Sequence, residues 1–142
     1  MKKTAIALFT LTLFSCGTTV TKSTGKKVLY EVLTQQEDGG GNIHFFEILS
    51  EPNEIRMLQN DKMLKNKISP IDVQKSNFVI LNMGEKTTGG YKITVENVVE
   101  TDKNVIITVK ETEPESGTMV TQGFTYPFCV VKINSKKEII IK

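Results

Sequence analysis

Apolar and polar positions alternate with a period of two over much of the chain from residue 27 onward, the signature of strands with one buried face. In Lys27–Gln36, Val28, Tyr30 and Val32 alternate with Leu29, Glu31 and Leu33. A turn cluster, Glu37–Asn42, follows, and Ile43–Leu49 is apolar again with Phe45 and Phe46. Two such runs around a glycine-rich loop predict a hairpin, with Gly39–Gly41 as a mobile tip. The period changes after Ser50-Glu51-Pro52. Serine suits a helix cap, acidic residues suit a first turn, and proline is tolerated there. Ile55, Leu58, Met63 and Leu64 mark one face of a helix running to Asn66. Pro70 closes it, and Ile71-Asp72-Val73 is expected as a short extended piece.

Phe78–Met83 is apolar on both faces, as a central strand should be. The corner GEKTTGGY, Gly84–Tyr91, separates it from strand Tyr91–Glu100. Val98-Val99 breaks the alternation there, so a bulge is expected near Asn97. Thr101-Asp102-Lys103 turns the chain into strand Asn104–Glu111. After a loop at Glu113–Gly117, Met119–Tyr126 leads through Pro127 to Phe128–Ile133, where Cys129, Val131 and Ile133 share a face. Asn134-Ser135-Lys136 turns into a last edge strand, Glu138–Ile141. These elements predict an α+β fold: a mainly antiparallel sheet curled towards a small barrel or sandwich, with one helix against it.

The first fifteen residues read as an address. Met1-Lys2-Lys3 is basic, and Thr4–Phe14 is apolar but too short to span a bilayer as a helix. Leu13-Phe14-Ser15-Cys16 resembles a bacterial lipobox, which implies cleavage before Cys16 and lipid on that cysteine. Gly17 stands where an aspartate would signal inner-membrane retention, so outer-membrane anchoring is expected. Residues 16–27 are then a lipidated cysteine and a polar tether. Its ten residues Thr18–Lys27 reach at most ~35 Å when extended. Residues 28–142 form a single globular domain.

Cleavage alters the charge argument. With Lys2 and Lys3 gone, the 18 basic side chains fall to 16, matching the 16 acidic ones. No clustered basic surface points to nucleic acid. Lipidation of Cys16 leaves Cys129 alone, without an intrachain disulfide. Catalysis has few candidates. His44, the single histidine, is expected as a packing residue beside Phe45 and Phe46. Cys129, inside the run FCVV, is expected as a core thiol. A Cys129–His44 dyad has no third residue to orient it. One histidine and one free cysteine make no metal site, and no cofactor is expected. The corner GEKTTGGY runs into a strand, whereas phosphate cradles open into a helix. The acidic positions around Glu111–Glu115 lack the alternate spacing of a calcium loop.

Gly84–Ile133 resembles the C-terminal domain of the PrcB family, lipoproteins named for an accessory subunit of a secreted protease complex. The residues that carry the likeness are Gly84, Lys86, Thr88-Gly89-Gly90-Tyr91, Pro114, Gly117, Val120-Thr121-Gln122 and Thr125-Tyr126-Pro127. With the lead-in at Ile71-Asp72-Val73, the resemblance extends over 71–133. Thr87 stands where a proline is common in the family. The resemblance implies an exported, non-catalytic protein that helps a protease assemble or stay stable, through a protease or another envelope partner.

Two segments are candidates for the contact surface. If the corner and Met119–Pro127 cluster, they form one rim with Thr88, Gly89, Gly90, Tyr91, Thr121, Gln122, Tyr126 and Pro127. Tyrosine suits interfaces by its area and polar tip. Equally, the glycines serve tight turns and the hydroxyls tie loops together. In outline the pair of loops is also similar to protease inhibitors that press several loops into a cleft.

Overall fold

The computed structural model describes residues 28–142. The expected signal segment, 1–15, and the expected lipidated cysteine and tether, 16–27, lie outside the described residues. Nine strands and two short helices follow in the order β1 (Tyr30–Gln36), β2 (His44–Leu49), α1 (Pro52–Gln59), α2 (Pro70–Lys75), β3 (Asn77–Met83), β4 (Lys86–Thr88), β5 (Lys92–Glu100), β6 (Asn104–Thr112), β7 (Gln122–Thr125), β8 (Phe128–Ile133) and β9 (Glu138–Ile141).

The organising unit is one long hairpin folded over on itself. β3 pairs with β8, β4 with β7 and β5 with β6, all antiparallel and nested inside one another. The outermost pair lies in a four-stranded sheet ordered β1-β8-β3-β2, and the innermost in a three-stranded sheet ordered β5-β6-β9. The small β4–β7 ribbon carries both arms from one sheet to the other. The sheets face each other as a sandwich that does not close into a barrel. All pairings are antiparallel except β6 with β9.

Period-two patterning explains the layers. Val79, Leu81 and Met83 of β3 and Cys129, Val131 and Ile133 of β8 point into the inter-sheet core. There they meet Ile93 and Val95 of β5, Val105 and Ile107 of β6 and Ile139 of β9. The alternate residues Phe78, Phe128 and Val130 face a second core with Leu33, Leu49, Ile55, Leu64, Ile68 and Val73. A strand central to three layers must be apolar on both faces, which accounts for the run Phe78–Met83. The irregularity in β5 falls between Val95 and Asn97, where the Val98-Val99 doublet places it.

Four local expectations are corrected. The runs around Gly39–Gly41 are not a hairpin: β1 pairs with β8, and β2 with β3. The glycine loop is also held down. Gly40 N–H donates to the Tyr126 carbonyl at 2.9 Å, and Gly41 N–H donates to Asn82 Oδ1 at 2.8 Å. Asn82, buried between the strands, returns hydrogen bonds from Nδ2 to the carbonyls of Gly41 and Ile43. Third, α1 ends at Gln59 rather than Asn66, and its N-cap is Glu51 rather than Ser50. The Glu54 carboxylate accepts from Glu51 N–H at 3.1 Å, and turns carry the chain onward to bury Leu64. Fourth, Ile71-Asp72-Val73 belongs to a second helix. Ser69 caps it by accepting from Asp72 N–H, while the Asp72 carboxylate accepts from Ser69 N–H at 2.8 Å. This reciprocal capping box makes Pro70 an N1 proline.

Lys132 ties α2 to the sheet. Its Nζ lies 2.8 Å from Glu31 and 3.7 Å from Asp72. Burial alone would lower the Lys132 pKa, but the hydrogen bond it donates to Glu31 and the two carboxylate charges outweigh it and raise the value. Burial likewise pushes Asp72 up, yet hydrogen bonds from Ser69 and the Lys132 charge bring it below its ordinary value.

Candidate functional site

The two segments singled out in the sequence are the two arms of the β4–β7 ribbon. Lys86 lies opposite Thr125, and Thr88 opposite Gln122, with an irregularity between. Gly89 N–H donates to the Thr121 carbonyl at 2.9 Å, and the Thr125 hydroxyl donates to the Thr88 carbonyl at 2.8 Å. A ribbon that leaves one sheet and enters another must bend sharply. Gly84 has φ +77° and Gly90 φ +90°, in the left-handed region that glycine enters without a Cβ clash. At Gly90 a Cβ would also stand 2.9 Å from Pro114 Cβ and 3.2 Å from Val120 Cγ1. Its absence lets the Pro114 loop close onto the corner.

The eight rim residues divide by exposure. Thr121 and Gln122 are exposed; Thr88, Gly90, Tyr91 and Tyr126 are half-buried; Gly89 and Pro127 are buried. Pro127 presents no side-chain surface, and its carbonyl accepts from Met83 N–H at 2.9 Å. Tyr91 packs against the inter-sheet core, with the Lys86 ammonium 5.3 Å from its ring centroid. The Tyr126 hydroxyl donates to Glu85 at 2.9 Å. That bond, with some desolvation and the charges of Glu85 and Asp38, raises the pKa of Tyr126 above its ordinary value.

Two residues that the sequence reading left out are the most exposed apolar side chains of this region. Met119 is 99% exposed and Phe124 is 64% exposed. No sequence signal marked Phe124: β7 is exposed at Gln122, Gly123 and Phe124 in succession, so its burial does not follow the alternation of a strand with one buried face. Met119 borders a groove of about 430 Å³ lined by Gly90, Pro114, Val120, Glu113, Glu115 and Lys92 among others. Lys92 is 3.7 Å from Glu37. Among the described residues, Glu113 and Glu115 have no ion-pair partner within 4.0 Å.

The candidates for catalysis stand apart. Cys129 is fully buried in β8, and burial pushes its thiol up to about 11 despite a hydrogen bond with Thr94. A thiol so protonated is a poor nucleophile at neutral pH. His44 lies two strands away, on the edge strand β2. It is not the packing residue expected: its side chain is half exposed, its Nε2 is 2.6 Å from Glu111, and its ring lies 5.1 Å from that of Phe46. Sequence alternation could not show that β2 would be an edge with Phe45, Phe46 and Ile48 each partly exposed. Among the described residues no three His, Cys, Asp or Glu side chains converge as metal ligands, and no helix is long and apolar enough to cross a membrane.

Comparison with known families finds a match over residues 77–134 to the family described as PrcB C-terminal. No curated protein and no solved structure matches the chain. The matched segment starts at β3 and ends one residue past β8. It therefore contains all six strands of the nested hairpin, while β1, β2, both helices and β9 are added around it. Gly84 and Gly90, two of the residues that carry the likeness, stand on either side of β4, where the chain passes between the sheets. Residues 77–134 of this chain are thus similar to the PrcB C-terminal domain.

Proposed function

We propose that the chain is a non-catalytic accessory subunit, anchored in the cell envelope by lipid on Cys16, that assembles with or stabilises an exported protease. The match of residues 77–134 to the PrcB C-terminal family is the observation that carries this reading. The basic start, short apolar stretch and Leu13-Phe14-Ser15-Cys16 support the anchor, and Gly17 favours the outer membrane. The rim on the β4–β7 ribbon is the contact surface, with Thr88, Tyr91, Thr121, Gln122 and Tyr126 as its polar and aromatic members. Gly89, Gly90 and Pro127 shape the backbone that presents them. The burial of Cys129, apart from His44, favours binding over catalysis.

Purifying the lipidated protein and identifying what accompanies it tests the reading. A protease that loses yield or lifetime when this chain is deleted supports it; a protease indifferent to the deletion sinks it. Metabolic labelling with a fatty acid tests the anchor, since label persisting in Cys16→Ala would remove it. A second reading, a loop-based protease inhibitor, is favoured by the outward Phe124 on a braced ribbon and Met119 on the loop leading into it. An inhibitor blocks turnover at stoichiometric amounts, whereas an assembly subunit does not.

A further inference from the structure

We propose that Phe124 on the β4–β7 ribbon and Met119 on the loop leading into it seat in an apolar cleft of a protein partner whose rim is basic. The inference rests on the reading of the ribbon as a partner-binding surface and names the chemistry of what it meets. Phe124 and Met119 expose apolar area that nothing in the fold covers. The ribbon that carries Phe124, and that begins just past Met119, is braced. Gly89 bonds to Thr121, Thr125 to Thr88 and Tyr126 to Glu85, each at 2.8 or 2.9 Å. A braced support leaves little chain entropy to lose on docking, so the two side chains can act as preformed anchors.

Charge identifies the occupant. The exposed carboxylates of Glu113 and Glu115 line the same groove as Met119, and Glu85 borders the other arm. The nearby cations are already engaged: Lys92 with Glu37, and Lys86 over the ring of Tyr91. An anionic membrane surface repels such a face, whereas basic residues around an apolar cleft complement it. Protein is therefore the occupant rather than lipid.

The test places a photo-crosslinking phenylalanine analogue at position 124, and separately at 119, in the full chain within the cells that make it. Ile140 on β9, 37% exposed, is the control position. The expected result is one protein adduct from both ribbon positions and none from 140. Mass spectrometry should map it to a partner peptide with apolar residues beside Lys or Arg. The double variant Glu113→Lys/Glu115→Lys should lower adduct yield by about five-fold or more, with an unchanged melting temperature. Adducts no stronger than at 140, or a yield that charge reversal leaves equal or raises, would overturn the proposal. So would sedimentation of the purified protein with phosphatidylcholine vesicles that Phe124→Ser abolishes, since the anchors would then enter lipid. An adduct to a protein other than a protease supports the ribbon and sinks the protease reading. A protease cross-linked only through other surfaces does the reverse.

Discussion

Gly40→Ala should destabilise the domain far more than a single methyl suggests. The backbone of Gly40 is not left-handed, so the argument is purely steric. A Cβ at this position would overlap Asn82 Oδ1 and stand 2.8 Å from the Tyr126 carbonyl and 3.1 Å from Phe128 Cβ. None of these is the far end of a flexible chain. Asn82 is 1% exposed and its amide holds Gly41 and Ile43, so moving it leaves polar groups without partners in the interior. Losing the partner of a buried group costs about 1–3 kcal/mol, and forcing atoms into a packed region adds about 1–3 kcal/mol more. We expect a combined loss of about 2–6 kcal/mol, lowering the melting temperature by roughly 8–24 °C for a domain of this size. Gly41→Ala is the internal control, because its Cβ would meet only ordinary contacts near 3.5 Å. Thermal and urea unfolding by circular dichroism, run on both variants, measure the difference. If Gly40→Ala unfolds within about 0.5 kcal/mol of the parent protein, the loop is not clamped and the reasoning fails.

Cys129→Ala should cost about 1 kcal/mol or somewhat more through lost packing and leave partner capture intact; a native thiol that reacts with a labelling reagent as fast as the unfolded chain would contradict its burial. The Lys132 cluster should give stability a pH dependence at both extremes. Asp72 has a depressed pKa in the fold, so its contribution is present above its unfolded value and is lost as pH falls through the folded one. Lys132 has a raised pKa, so its contribution is full below its unfolded value and is lost as pH rises through the folded one. Lys132→Met should flatten both flanks of a plot of unfolding free energy against pH; flanks as steep as before would dissociate the cluster from the effect. Tyr126→Ala is expected to weaken partner capture more than it lowers the melting temperature, because its hydroxyl reaches only the exposed Glu85; the opposite ranking would move the binding face elsewhere. Gly90→Val should harm both, through its positive φ and the approach of Pro114, and a folded, fully binding Gly90→Val protein would refute that.

The strands were legible because burial imposes a period of two, and β3 and β8 announced themselves by alternating between two cores. Pairing partners were not legible. Glu37–Asn42 has the composition of a hairpin loop, but composition cannot reveal that Gly40 bonds to a carbonyl at Tyr126. α2 was misread although its signal was local: Ser69 and Asp72 stand three apart around a proline, the spacing of a capping box. At the rim, the sequence located both arms and the glycines that bend them. It could not rank exposure, so buried Pro127 was included and outward Met119 and Phe124 were passed over. His44 was misjudged for a related reason, since an apolar strand looks the same at a sheet's edge as in its middle.

The nesting of the hairpin also dictates an order of events during biogenesis. Tyr30, near the start of the folded region, must find Ile133, about a hundred positions later, and such distant pairings are slow to form. β5 and β6, joined by the short turn at Thr101–Lys103, can zip first. The ribbon and then β3–β8 can follow outward from that turn. β1 has no neighbour in the sheet until β8 has been delivered. The first strand to be synthesised is therefore the last to be paired, and it stays without a neighbour until almost the whole folded region has been made.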